Sequence, residues 1–384
     1  MVRNVALVFC LMTAGMLASG QLYMSIPIAD AVAAHFHVPT ADVALMSPAF
    51  GLAYAVGFLF WGPMSDRLGR KSVLLTGLFA TALATLCVAY ASDFSIELAA
   101  RVAQGLCAAS IPPAGIALVS ETLSPRWRPF GQGMMSFAFI ASAPVSQLYA
   151  QRAGLGFSSL IMSTVIGFAA CGVILAIINS KHSEEGSHQA HPLSHSIKDL
   201  FANPVVLTLW GASCTVLFGF VAFQTQLNGA LGSAEWDPLT IRALTLLGML
   251  ASFGAGFIIR LYGDVRTLQA GLLIAGGALV STTFGAPLAV TIITLSVGVA
   301  LSITSIVSAI SRSASQGSRG LAIAVYSFCL FVGASLAPLY SHLVAVSAKN
   351  ALLLPAGLMV AAATCLGMRW MRAQLDLRPQ GRPA

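Results

Sequence analysis

Gly62-Pro63-Met64-Ser65-Asp66-Arg67-Leu68-Gly69-Arg70-Lys71 is the densest cluster of charge in the first half of the chain, and long apolar stretches flank it on both sides. Each of its four charged residues would be costly in hydrocarbon. Either neighbour is long enough to cross a bilayer, which takes about 20 apolar residues. The decapeptide therefore reads as a tight cytoplasmic hinge between two membrane helices.

Composition points the same way. Of 384 residues, 57% are hydrophobic and only 9% are charged, and the mean hydropathy is +0.84, which no ordinary soluble domain shows. The net charge of +7 comes from short basic clusters between apolar spans and not from a continuous stripe, so membrane orientation explains it and a nucleic-acid partner does not. The seven cysteines all lie in apolar stretches without a Cys-x-x-Cys pair or metal-ligand spacing. No metal and no cofactor is expected.

Apolar windows place twelve spans near 5–28, 43–62, 72–91, 95–119, 131–151, 157–179, 204–228, 240–261, 267–286, 289–311, 320–345 and 350–371. With the N-terminus inside, sixteen Lys/Arg residues fall on the cytoplasmic side, and only Arg152, Arg242 and Lys349 on the outer one. This bias predicts that both termini are cytoplasmic, and the expected location is the inner (plasma) membrane. The start resembles a cleavable signal, with Arg3 before an apolar run and small residues at Ala18-Ser19-Gly20. Apolar character continues through Ile28, however, and an uncleaved first helix is expected. Ser180–Asn203 is the longest polar interruption and holds four of the seven histidines, a pattern expected of a hydrated linker. The expected organisation is a six-helix bundle over 1–180, a cytoplasmic linker over 181–203, a second six-helix bundle over 204–372 and a cytoplasmic tail over 373–384.

The two halves echo each other. At a shift of about 194, Gly62, Asp66, Gly69 and Arg70 fall on Gly256, Arg260, Gly263 and Asp264, so the glycine spacing survives while the charges exchange sign. At a shift of 191, Arg128 with Ser136-Phe137 falls on Arg319 with Ser327-Phe328. A repeat of this kind marks one large class of membrane transporters.

Arg101 is the most informative residue inside a span, roughly 10 Å from the start of the fourth helix at 1.5 Å per residue. A guanidinium there needs a partner or a wet cavity. Glu97 stands four residues earlier on the same face, which allows an intrahelical ion pair; the other reading has Arg101 lining a central cavity. No acid lies in the middle of an apolar span, since Asp30 and Glu97 sit near outer ends and Asp66, Glu121 and Asp264 near inner ones. A proton carrier buried at the midplane is therefore not visible. If protons are coupled, Asp30 or Glu97, interacting with Arg101, is the expected titrating site.

Gly62-x-x-x-Asp66-Arg67-x-Gly69-Arg70-Lys71 resembles the loop signature of the major facilitator superfamily of secondary transporters. Arg101-x-x-Gln104-Gly105-x-x-Ala108-Ala109 is similar to the family's fourth-helix motif, most familiar in twelve-helix drug:proton antiporters, and Glu121 with Arg128 resembles its Glu-x6-Arg element. The resemblance implies an all-α membrane fold of two pseudo-symmetric six-helix bundles and a small molecule moved by alternating access, with proton-coupled efflux the expectation and proton-coupled uptake or a transporter-like sensor the alternatives. It implies that the loop docks on the opposite half through Asp66, with Arg67, Arg70, Lys71, Glu121 and Arg128 in one gating network. The helices that line the central path in this family carry Gln21, Tyr23, Tyr54, Gln104, Gln147, Gln224, Gln226, Asn228 and Tyr326 as candidate cargo contacts. The fifth span departs from the antiporter pattern: Ala141-Ser142-Ala143-Pro144 keeps a proline, with its expected kink, but not the glycines. The expected partners are a small molecule, a proton and the lipid bilayer, with the chain acting as a monomer. No catalytic constellation and no phosphate-cradling Gly-x-x-x-x-Gly-Lys-Ser/Thr is present, which argues against an enzyme or an ATP-driven pump.

Overall fold

The computed structural model describes residues 2–124, 127–178, 201–228, 236–313, 319–344 and 348–376. Apolar side chains in a bilayer leave the backbone no water to bond, so each span closes its hydrogen bonds within a helix. The first half contains α1 (Val2–Gly20), α2 (Met46–Leu68), α3 (Arg70–Ala89), α4a (Phe94–Ala108) with α4b (Ile111–Thr122), α5 (Arg128–Arg152) and α6 (Phe157–Ile177). The second contains α7 (Pro204–Asn228), α8a (Pro238–Met249) with α8b (Ala251–Tyr262), α9 (Asp264–Ser281), α10 (Leu288–Ser313), α11 (Arg319–Leu343) and α12 (Leu353–Asp376). Among the described residues, ten helical spans are long and apolar enough to cross a membrane. α5, with 25 residues, and α12, with 24, complete a set of twelve.

The same pairings recur in both halves. In the first, α1 packs on α5 and α6, α3 on α4a and α6, and α2 on α4a; in the second, α7 packs on α11 and α12, α9 on α10 and α12, and α8 on α10. Among the described residues, the main contacts between the halves are α2 with α11 and α5 with α8, and the short turn at Ile26–Ile28 touches α7. The chain is thus an all-α protein of two pseudo-symmetric six-helix bundles, as expected.

Several boundaries differ from the sequence reading. The decapeptide is not a loop: α2 runs through Leu68 and α3 starts at Arg70, leaving Gly69 alone as the turn. Gly69 has φ 88° and ψ 138°, and Gly263 at the equivalent turn between α8b and α9 has φ 85° and ψ 159°. Both conformations are essentially confined to glycine, so the glycine echo in the sequence is a conserved backbone shape between the repeats. The first span stops at Gly20, and the expected extension to Ile28 is a turn followed by a 3-10 helix around Pro27. The fourth span breaks at Ala109-Ser110, because Pro112 and Pro113 offer no N–H to the carbonyls of Ala108 and Ala109. Nothing in the sequence explains the break at Leu250 between α8a and α8b. α5 continues through Pro144.

Candidate transport path and coupling site

α4a is set by its N-cap: the Asp93 carboxylate accepts from the backbone N–H of Ser95 at 2.9 Å and of Ile96 at 3.0 Å. From that start, Glu97, Arg101 and Gln104 fall on one face, and all three are buried. Arg101 Nε donates to Glu97 Oε1 at 2.9 Å. Its Nη1 donates to the Gln21 carbonyl and to Gln104 Oε1, both at 3.3 Å. Gln104 Nε2 in turn donates to Gln21 Oε1 at 3.2 Å and to Thr85 Oγ1 at 2.9 Å. Of the two sequence readings of Arg101, the intrahelical ion pair is the one the structure shows, and its network ties α4a to α3 and to the chain just past α1 with the guanidinium enclosed. Glu97 is the only acid buried to this degree among the described residues.

Gly105, one turn on, lets α4a approach α2 backbone to backbone. A Cβ there would collide with the Phe50 carbonyl oxygen and lie 3.0 Å from the Tyr54 nitrogen. Tyr54 is fully buried, shares a 3.1 Å hydrogen bond with Ser19, and packs edge-on against Phe331 of α11 with centroids 4.7 Å apart. This aromatic contact crosses from one half to the other.

Other candidates scatter. Asp30 is exposed in a short helix, accepts from Thr40 at 3.2 Å, and does not join Arg101; a carboxylate beyond the end of the span has water for a partner, so nothing draws it inward. Tyr23, Gln147 and Tyr326 are buried and Gln226 is half-buried, while the Asn228 side chain lies outside the described residues. Arg242 is a buried charge that was not among the candidates. Counted on the outer side by the charge bias, it is 1% exposed on the second turn of α8a, and its Nη1 donates to Gln224 Oε1 at 2.7 Å. The signal was its position inside the 240–261 window, the same kind of intrusion that singled out Arg101. Thr85, a second residue the sequence reading missed, carries no charge to mark it.

At the basic end, Arg70 Nε donates to Glu121 Oε1 at 3.2 Å and Arg70 Nη1 to Ser65 Oγ at 2.6 Å. In the second half, Arg312 Nε donates to Asp264 Oδ2 at 2.7 Å. Both pairs join the start of one helix to the end of the next, α3 to α4b and α9 to α10, and the charges are exchanged between them. Lys71 Nζ caps α6 by donating to the Ile178 carbonyl at 2.8 Å, and Arg67 is exposed. A Cβ at Gly62 would meet Ala324 of α11 at 3.6 Å, an ordinary contact, so close helix approach is not what this glycine provides. The side chains of Asp66 and Arg128 lie outside the described residues, as does the histidine-bearing linker; no cluster of three His, Cys, Asp or Glu occurs among the described ones.

Residues 11–338 match the family model of the Major Facilitator Superfamily. The chain belongs to that superfamily. This member is 27% identical over 65% of its length to the uncharacterized MFS-type transporter YceJ of Bacillus subtilis, the match spanning 66% of that protein. It is 25% identical over 46% of its length to the vesicular acetylcholine transporter of Homo sapiens, the match covering 35% of the latter. The crystal structure of the human organic anion transporter MFSD10 superposes with a TM-score of 0.72, covering 94% of this chain and 99% of that one at 16% identity. Family and fold identify a membrane transporter of small molecules and point away from an enzyme.

Proposed function

We propose that this transporter exports a small molecule across the inner membrane in exchange for protons, by alternating access between the two six-helix bundles. The basic end is the cytoplasmic one, with the bundles over 1–180 and 204–372 tied by a cytoplasmic linker, and the chain works as a monomer. The observation that carries the reading is the buried Glu97–Arg101 pair, held by Gln21, Gln104 and Thr85. A carboxylate in a dry interior must be neutralised by a cation or by a proton. Glu97 has one of each within reach of its chemistry: Arg101 now, or a proton arriving from the outer face, only about 5 Å away at 1.5 Å per residue from Phe94. A proton and a cationic group of the cargo compete for the one carboxylate, each excluding the other, which is the linkage that exchange requires.

The names of similar proteins do not choose the cargo, since one carries acetylcholine and another organic anions. A decisive test uses purified protein in proteoliposomes with an imposed pH gradient, loaded with extracts from cells lacking the protein. Export predicts net movement of a metabolite against the direction of proton flow. Movement in the same direction would establish uptake by symport, and absence of any gradient-driven flux would remove proton coupling.

A further inference from the structure

α1, α5 and α6 enclose a groove of about 120 Å³ on the flank of the first bundle, walled by Leu17, Gly20, Val145, Ser146, Tyr149 and Thr164. Its hydroxyls are already committed: Ser146 Oγ donates to the Ala143 carbonyl at 3.2 Å, Thr164 Oγ1 to the Ile161 carbonyl at 2.7 Å, and the Tyr149 hydroxyl to Ser163 Oγ at 2.7 Å. What the groove presents is hydrocarbon. Thr13 at its rim continues an exposed stripe of α1 with Val5 and Phe9, each four residues from the next, and Tyr149 is exposed on α5. On a helix apolar enough to cross a bilayer, such a face looks at acyl chains and not at water.

Val145, Tyr149 and Arg152 follow one another at i, i+4 and i+7 on α5, so Arg152 stands over the mouth of the groove. It lies three residues past Tyr149, about 4.5 Å along the helix axis. Its side chain is 54% exposed, and its one partner among the described residues is Asp237 at the start of α8a, reached through Nη2 at 2.6 Å. A guanidinium offers five N–H donors, and this contact leaves most of them over. An apolar trough at the depth of the acyl chains, with a cation at its interfacial end, matches both parts of a phospholipid. We propose that the groove binds one phospholipid from the leaflet at the end opposite the basic cluster, with an acyl chain against Leu17, Gly20 and Tyr149 and its phosphodiester on Arg152. Dry apolar cavities of similar size take up small hydrocarbon groups, and arginine is the side chain best matched to phosphate. The phosphate competes with Asp237 for one guanidinium, so bound lipid and the contact between α5 and α8a weaken each other. Membrane composition thereby bears on how readily the halves part at that end. The proposal needs only the bilayer and stands for either direction of transport.

The test follows melting of the purified, delipidated full chain in detergent with three probes: didecanoyl phosphatidylglycerol, didecanoylglycerol, which lacks the phosphate, and glycerophosphate, which lacks the chains. The phospholipid should raise the melting temperature in a saturable way, with half-saturation at least about tenfold lower than for either fragment. Thr13→Trp fills the trough from an exposed rim position and should raise that half-saturation at least about tenfold, as should Arg152→Gln. Asp237→Asn removes the competitor and should lower it about two- to fivefold, the worth of an exposed ion pair. No saturable shift, equal shifts from phospholipid and didecanoylglycerol, half-saturation unchanged in Thr13→Trp or Arg152→Gln, or a weaker response in Asp237→Asn would overturn the proposal. A phosphatidylglycerol with a photoreactive diazirine on its chain keeps the site testable if a variant fails to fold. Label concentrated on α1, α5 and α6 of the wild-type protein is the expected result, and label spread evenly over the lipid-facing helices would contradict it.

Discussion

Arg101 shows how much one side chain organises. Its guanidinium ties Glu97, Gln104 and the chain at Gln21, and the pair is 1% and 0% exposed. Removing one partner of a buried ion pair strands the other, at about 3–5 kcal/mol. Arg101→Ala should therefore lower the melting temperature sharply. The double variant Glu97→Gln/Arg101→Gln should recover most of the loss, because two amides can bond each other and leave no stranded charge. A double variant no better than Arg101→Ala alone would show that the cost lies in lost packing. Arg101 and Glu97 were legible from sequence because charge is rare inside apolar windows. Arg242 was equally legible by that rule, but counting it only as an outer-side charge left unasked whether its side chain is enclosed, as it is. Gln147 could be listed as a polar residue on the path, yet that both atoms of its buried amide go unmet depends on which groups do not face it, and no sequence pattern records that.

At the scale of elements, the two turns at Gly69 and Gly263 and the two ion pairs beside them express one design in two charge patterns. Arg70 with Glu121 and Asp264 with Arg312 occupy corresponding places with signs reversed. A mutual exchange within the first pair should therefore be tolerated: Arg70→Glu and Glu121→Arg singly should reduce transport, and the double exchange should restore at least half of it. Because these side chains are partly exposed, the thermal effects should stay small, about 0–1 kcal/mol, and the readout is flux at equal expression. Gly69→Ala and Gly263→Ala should each cost about 1–3 kcal/mol from backbone strain alone, and melting curves showing no loss at either turn would contradict the shared geometry. The gating role expected of Asp66 predicts that Asp66→Asn impairs flux far more than Arg260→Gln, whose parent residue is exposed. Turn glycines were readable as spacing in the sequence. That the hinge is a single residue was not, because hydropathy falls where charges begin, whereas helices continue until their backbone bonds run out.

Across the whole molecule, the halves touch along α2 with α11 and α5 with α8. At the end opposite the basic cluster, Arg152 of α5 donates to Asp237 at the start of α8a at 2.6 Å. Alternating access requires that contact to open. Cysteines placed at 152 and 237 and crosslinked should block flux, with reductant restoring it; full flux through the crosslinked protein would mean that these helices do not separate. Twelve spans and a duplicated bundle were readable from the sequence because membrane thickness fixes helix length and the repeat preserved its glycines. Which helices cross the divide was not readable, since apolar faces toward lipid and toward a neighbouring helix carry the same residues. The claim on which the account turns is that Glu97 couples protons to cargo. It is tested most directly by flux of the cargo in proteoliposomes carrying wild-type protein or Glu97→Gln, with and without a pH gradient. The account predicts that wild type accelerates under the gradient while Glu97→Gln loses that acceleration and retains slow exchange. Gradient-driven flux undiminished in Glu97→Gln would contradict it.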